Sequence, residues 1–134
     1  MSLNIIDKIA WIRLDQGRLL CARSKGKDMY YLPGGKREPG ESDQEALIRE
    51  VWEELTVRIV PDSIVHYGTF TAAAHGKTEG TTVSMTCYTG DYEGNLEAAS
   101  EIEELTWLTY SDRDQVSAAS QLIFDRLREE GLLS

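Results

Sequence analysis

The sequence predicts an α/β fold in which a mixed β-sheet is flanked by one helix on each side. Two features lead to this prediction. Apolar and alternating stretches typical of β-strands occur both before and after a central segment with helical periodicity. A second segment with helical periodicity closes the chain. A chain of 134 residues is long enough for a hydrophobic core, so we expect one domain covering residues 1–134.

The first part of the predicted sheet comes from three segments. Residues 5–14 have Ile9 and Trp11 as core candidates, and residues 18–23 follow after a short turn. Their closeness in the chain predicts a β-hairpin. Residues 29–32 form a further short strand that leads into the central segment.

The second part of the sheet follows the central segment. Residues 64–74 and 81–92 are predicted as the strands of a long hairpin, because side chains alternate in character along the second of them. Residues 117–130 are predicted as the closing helix. Its apolar stripe consists of Leu122, Ile123 and Leu127.

Composition and charge exclude several classes of partner. A net charge of −9 argues against a nucleic-acid polymer, because such a partner requires a basic surface. No apolar run approaches the roughly 18 residues of a transmembrane helix, and the N-terminus lacks the regions of a signal peptide. Cys21 and Cys87 lie in apolar strand-like contexts, so we expect buried reduced thiols. These features predict a cytoplasmic protein without a membrane partner.

The central segment, residues 42–55, predicts the helix around which the chain is organised. Ser42 is well placed as its N-cap, with Glu45 three residues later as a capping box requires. No Gly or Pro interrupts the segment. Its apolar stripe consists of Leu47, Val51 and Leu55, widened by Ile48 and Trp52.

Three carboxylates, Glu50, Glu53 and Glu54, fall on the opposite side of this helix within one turn. Like charges at this spacing destabilise a helix by roughly 0.2–0.5 kcal/mol per pair. A bound divalent cation would make the same cluster of carboxylates stabilising. An acidic face alone is also typical of a solvated surface. Here it follows a loop with Gly34 and Gly35, which permits close approach to a phosphate.

Residues 35–57 resemble the Nudix box, the signature of the Nudix hydrolases. Eight of its nine specified positions match at the fixed spacing, which is far more specific than a short glycine motif. Thr56 replaces the family's Gly, a residue that permits a left-handed helix cap. Because a β-branched residue adopts that conformation with difficulty, we expect a different helix exit. The matching residues are Gly35, Glu41, Arg49, Glu50, Val51, Glu53, Glu54 and Val57.

The resemblance covers essentially the whole chain and implies the Nudix α/β/α sandwich, with the box helix and the C-terminal helix on the two sides of a mixed sheet. It implies that Glu50, Glu53 and Glu54 bind the metal. The Gly34 carbonyl is implied as a further metal ligand.

Two further features of the site follow from the resemblance. Glu41 and Arg49 are implied as an ion pair that orients the ligating carboxylates. In the family, an acidic patch before a Trp-Leu pair often supplies one more metal ligand. We place that role on Glu103, with Glu101 or Glu104 as alternatives.

The candidate substrate-binding residues lie in three places. In the family, an Arg at the end of the second strand often faces the substrate's phosphates, and Arg23 is assigned there because a guanidinium suits bidentate phosphate contact. The loop that opens the box contributes Gly34, Gly35 and Lys36. The predicted tip of the long hairpin offers Lys77 or His75.

The activity implied by the resemblance is metal-dependent hydrolysis of a diphosphate bond in a nucleoside diphosphate linked to another group. Mg²⁺ or Mn²⁺ is the expected cofactor, and a (d)NTP giving a nucleoside monophosphate and pyrophosphate is the preferred substrate class. The proton acceptor is Glu50 or an acid outside the box such as Glu103.

Two other interpretations stay open. One is a nucleotide-binding regulatory module of the same fold without turnover. The other is an isomerase of the isopentenyl-diphosphate type, which would need a reactive cysteine. Dimers are common in the family, so a homodimer is a further outcome that the resemblance allows.

Overall fold

The computed structural model describes residues 4–73 and 80–134, and it confirms the predicted α/β class. The helices are α1 (Asp43–Leu55) and α2 (Ala118–Glu129), with short 3-10 helices at Pro61–Ser63 and Tyr110–Gln115. The strands are β1 (Asn4–Ile12), β2 (Leu14–Asp15), β3 (Arg18–Ser24), β4 (Gly34–Gly35), β5 (Arg58–Ile59), β6 (Val65–Ala73), β7 (Thr81–Thr89), β8 (Tyr92–Glu93) and β9 (Ile102–Leu108).

The strands are divided among three sheets. The largest has the order β4-β1-β7-β6 and is mixed, because β1 and β7 run parallel while β6 and β7 form the predicted antiparallel hairpin. A second sheet has the order β2-β3-β9, and β5 pairs with β8. None of the helices in the described part of the chain is long and apolar enough to cross a membrane.

Strand β1 lies between the two helices, which produces the three-layer arrangement. Ile9 and Trp11 belong to the hydrophobic cluster beneath α1, whereas Ala10 and Ile12 belong to the cluster that contains Phe124 of α2. Successive side chains of a strand point to opposite faces, so both faces of β1 are buried. A strand buried on both faces has a continuous apolar sequence, as residues 9–12 do.

The prediction that residues 5–14 and 18–23 pair as a hairpin is wrong. Strand β1 pairs with β4 and β7, and only the two residues of β2 pair with β3. The parallel partner β7 lies far away in the sequence, so local spacing could not reveal it. The predicted strand at residues 29–32 is also absent, and single bridges at Tyr30 and Tyr31 replace it.

Two side chains that were predicted to be apolar core residues of the helices are exposed. Trp52 of α1 is 53 % exposed and Leu122 of α2 is 39 % exposed. In α1 the buried face is rotated toward Ala46 and Glu54, both of which are buried. Packing of α1 against β1 determines which face of the helix is buried, and helical periodicity alone does not predict that face.

Helix α1 begins as predicted, with a capping box between Ser42 and Glu45. Its end contradicts the prediction, because Thr56 adopts the left-handed conformation with φ 61° and ψ 21°. The backbone N–H groups of Glu97 and Ala99 donate to the carbonyls of Leu55 and Glu54 at 3.0 and 2.9 Å. These bonds satisfy carbonyls that a helix end leaves unpaired, and they hold the chain in a conformation that threonine otherwise avoids.

Substitutions at Thr56 test this strained helix end. We expect Thr56→Gly to unfold at a higher urea concentration than Thr56→Ala, with a difference of about 1 kcal/mol in unfolding free energy, because only glycine removes the left-handed strain. Both variants lose the 3.2 Å bond from Thr56 Oγ1 to the Asn95 carbonyl, so their comparison isolates the backbone effect. Equal stability of the two variants would contradict the strain.

Candidate active site

The loop before α1 contacts β1 at two glycines. Gly34 pairs with Ala10 and Gly35 with Ile9 across the β4–β1 ladder. Gly34 has a φ of +145°, and a Cβ atom there would collide with the Ile9 carbonyl. A Cβ atom at Gly35 would collide with the carboxylate of Glu50. The two glycines therefore bring the backbone next to the carboxylates of α1.

The Arg49 guanidinium joins the loop to the acidic face of α1. Its Nε and Nη2 atoms donate to the two carboxylate oxygens of Glu41 at 2.6 and 2.8 Å, which is the ion pair that the resemblance implied. Its Nη1 donates to Glu50 Oε1 at 2.7 Å and to Glu53 Oε1 at 2.9 Å. Nη2 also donates to the Lys36 carbonyl at 3.1 Å. The bond from Arg49 lowers the pKa of Glu41 to about 2.

Glu50 and Glu54 line a cavity of about 490 Å³ together with the two glycines of the loop. Two further acids, Asp28 and Glu101, also line it. The positive charges among its described lining residues are Lys8, Lys27 and Lys36. The lining therefore combines three lysines, which suit an anionic ligand, with four acidic side chains, which suit a cation.

Burial raises the pKa of two carboxyl groups in this cavity. The pKa of Glu54 rises to about 8, mainly through burial and further through the nearby charges of Glu50 and Glu101. The Gly34 N–H donates to Glu54 Oε1 at 3.1 Å and opposes this rise. Burial also raises the pKa of Glu50, although the bond from Arg49 counteracts it. Burial in this cavity therefore disfavours the charged forms of both carboxyl groups.

The donor set fits a hard divalent cation. Among the described residues there is no group of three or more His, Cys, Asp or Glu side chains placed to hold a metal ion. Mg²⁺ keeps several waters and is usually bound by one or two carboxylates plus substrate phosphates. Glu50 and Glu54 line one cavity and meet that need. Glu53 is half-exposed, bonds to Arg49, and is not among the cavity-lining residues.

Two predicted residues lie elsewhere. Arg23 does not line the cavity, because its guanidinium donates to Glu104 at 3.2 Å and to the Lys27 carbonyl at 3.0 Å. Arg23 and Glu104 are opposite each other in the β3–β9 ladder, which explains this pairing. Glu103 is exposed on β9, and its predicted alternative Glu101 lies at the cavity instead.

The remaining predicted contacts divide into two groups. Lys36 lines the cavity, as do Gly34 and Gly35. Lys77 and His75 fall in residues 74–79, outside the described part of the chain.

One charged residue of this cavity was not predicted from the sequence. Lys8 lies within β1 and lines the cavity from the strand side. A lysine directly before the apolar run of residues 9–12 was the available signal, because lysine is rarely buried unless it has a partner.

The fold and this site define a member of a known family. The model of the NUDIX domain matches residues 7–125. Because this match spans most of the chain, the chain belongs to the NUDIX family.

Individual relatives agree with this assignment. A MutT-like protein of Streptomyces ambofaciens is 38 % identical over 50 residues, a match covering 37 % of this chain and 32 % of that protein. The chain thus spans only about a third of the length of this curated relative. The solution structure of the E. coli ORF135 protein is 26 % identical with a TM-score of 0.69, covering 96 % of this chain and 94 % of that one. The MutT protein of Methanosarcina mazei Go1 is 22 % identical with a TM-score of 0.76 and 98 % coverage of both chains, which shows the same fold.

The raised pKa of Glu54 predicts how stability depends on pH without metal. Between the ordinary pKa near 4.5 and the folded value of about 8, the folded protein binds more protons than the unfolded chain. Stability of the metal-free protein therefore falls as pH rises through this window. We expect Glu54→Gln to lose this contribution, so its melting temperature in EDTA should fall less than that of the parent between pH 5.5 and 8.5.

The matched control for this measurement is Glu97→Gln, which removes an exposed carboxylate outside the cavity. Its pH profile should follow that of the parent. If the melting temperatures of the parent and Glu54→Gln changed equally with pH, burial would not raise the pKa of the Glu54 carboxyl group.

Proposed function

We propose that this chain hydrolyses a diphosphate bond in a nucleoside diphosphate derivative, most simply a (d)NTP to a nucleoside monophosphate and pyrophosphate. The observation that carries the proposal is a cavity whose lining includes Glu50, Glu54, three lysines and the Gly34-Gly35 backbone. Carboxylates beside ammonium groups and a close-approaching backbone suit a metal-bound diphosphate.

Mg²⁺ or Mn²⁺ is the proposed cofactor, with Glu50 and Glu54 as its main protein ligands. Glu101 replaces Glu103 as the proposed outer carboxylate, because it lies at the cavity. The Gly34 carbonyl remains a proposed further ligand, and Glu53 contributes from the exposed rim. When bound, such an ion neutralises phosphate charge and lowers the pKa of bound water.

The proposed role of Arg49 is to hold the carboxylates in place. It bonds Glu50 and Glu53 through one nitrogen, and Glu41 fixes the guanidinium from behind with two bonds. Groups that orient metal ligands affect metal affinity and activity without touching the substrate. Glu41 and Arg49 are therefore positioning residues in this proposal.

Glu50 is the proposed proton acceptor from the attacking water. Its Oε1 atom accepts from Arg49, whereas its Oε2 atom faces Gly35 at the cavity. A general base must lie within hydrogen-bond reach of the water, and Oε2 is the Glu50 oxygen beside the Gly35 backbone.

Lys27 and Lys36 are proposed to bind the substrate's phosphates. Arg23 then acts indirectly, because its bond to the Lys27 carbonyl supports the loop that carries this lysine. Lys77 remains a proposed substrate contact.

The isomerase alternative does not suit the two cysteines. Cys21 and Cys87 are both buried, as predicted. Burial raises the pKa of the Cys21 thiol and raises that of Cys87 to about 12. A thiol needs to form a thiolate to react, so these residues are core residues in our proposal.

A panel of nucleoside triphosphates, dinucleoside polyphosphates and nucleotide sugars tests the proposed function. With Mg²⁺ or Mn²⁺ we expect a triphosphate to give monophosphate and pyrophosphate, and EDTA to abolish turnover. We expect Glu54→Gln and Glu50→Gln to lower kcat/KM by about 100-fold or more, the range for removing one preorganised electrostatic group. Product analysis by ion-exchange chromatography identifies the bond that is cleaved.

The control for this panel is again Glu97→Gln, which should retain parental kcat/KM. Turnover that persists in EDTA or in both glutamate variants would contradict the assigned site. Nucleotide binding without turnover of any compound would favour the regulatory module instead.

A further inference from the structure

Lys8 is a charged residue on an apolar sheet face. On β1 it shares its face with Ile6, Ala10 and Ile12, since alternate residues of a strand point the same way. Its parallel partner on β7 is Met85, flanked on the same face by Val83 and Cys87. Among the described residues of β1 and β7, Lys8 is the only charged side chain on this face. A charge on such a face is stable only with partners that compensate for its partial burial, which makes the surroundings of Lys8 informative.

Lys8 also lies where two cavities meet. The cavity of about 490 Å³ contains the carboxylates and lysines described above. A second recess of about 190 Å³ is lined largely by apolar side chains, among them Ile6, Val83 and Met85. Lys8 lines both, and it is the only charged residue among the described lining residues of the second. Lys27 and Lys36 line the first cavity alone.

We propose that the Lys8 ammonium binds the phosphate that is attached to the organic group of the substrate. This inference rests on the proposed function. A nucleotide has an anionic end and a flat, weakly polar end, and the first phosphate lies between them. The charged cavity suits the anionic end, the largely apolar recess suits the flat end, and Lys8 lines both. The other two lysines then serve the phosphates farther from the organic group.

One structural role for Lys8 would act through Glu54. The charge of Lys8 lowers the pKa of that carboxyl group, so Lys8 could serve only to stabilise a metal ligand. The two roles differ in what they change. Phosphate binding changes the affinity for a monophosphate, whereas support of Glu54 changes the affinity for the metal.

The test compares Lys8→Met and Lys8→Arg with the parent. Methionine matches the apolar face and the neighbouring Met85, and arginine keeps the charge. Lys25→Met is the control, because it removes the same charge from an exposed residue outside both cavities. Binding of the four nucleoside 5′-monophosphates and of inorganic pyrophosphate is measured by calorimetry with Mg²⁺. Melting temperatures confirm that each variant is folded.

We expect Lys8→Met to weaken monophosphate binding by about 10- to 100-fold, the range of a charge-assisted hydrogen bond, and pyrophosphate binding much less. Lys8→Arg should recover most of this loss, and Lys25→Met should match the parent. In kinetics, the same loss should appear in kcat/KM while the Mg²⁺ concentration for half-maximal rate stays unchanged.

Unchanged monophosphate affinity in a folded Lys8→Met or Lys8→Gln variant would overturn the proposal. A change only in the Mg²⁺ concentration for half-maximal rate would also overturn it. That result would indicate that Lys8 acts by stabilising the metal ligand Glu54. Calorimetry measures binding and does not need turnover. A failure of the proposed hydrolysis would appear as absence of turnover in the parent protein, so it is distinguishable from a failure of the role proposed for Lys8.

Discussion

The hydrogen bonds of one guanidinium group determine the geometry of the candidate site. Glu50 and Glu53 lie three residues apart on α1, where like charges repel, and Arg49 bonds to both. The same group bonds to Glu41 and to the Lys36 carbonyl in the preceding loop. Loop and helix are thereby fixed to each other by charge-assisted bonds, which are stronger than neutral ones. This connection, together with the β4–β1 ladder, holds the glycine backbone beside the carboxylates.

Glu54 connects the opposite end of the site to the rest of the fold. Its side chain accepts a bond from Gly34, and its carbonyl accepts one from the Ala99 backbone. The segment that caps the end of α1 is therefore the segment that leads to Glu101 at the cavity. The strained Thr56 belongs to the same connection, because the chain turns there toward β5. Local strain of this kind persists where surrounding contacts determine the backbone.

The sequence predicted those features that depend on local pattern. The capping box at Ser42, the hairpin of β6 and β7 and the ion pair of Glu41 with Arg49 follow from spacing, either directly or through the family resemblance. Features that depend on distant partners were not predictable in this way. The parallel pairing of β1 with β7, the exposure of Trp52 and the left-handed Thr56 all result from tertiary contacts that override local preference. The places of Glu101 and Lys8 at the cavity likewise depend on how separate strands assemble, which local spacing does not reveal.

The position of β1 between two helices has a consequence for how this chain can vary. Ile9 and Trp11 pack beneath α1, whereas Ile6 and Lys8 line the recess and Ala10 and Ile12 belong to the cluster of α2. A shift of one residue would exchange the two sets. It would place an ammonium group in the core under α1 and turn Trp11, whose indole N–H donates to the Gly90 carbonyl at 3.0 Å, toward the other helix. A single-residue insertion or deletion in β1 would therefore damage the core and the cleft together, whereas the loop at residues 25–28 has no such double constraint.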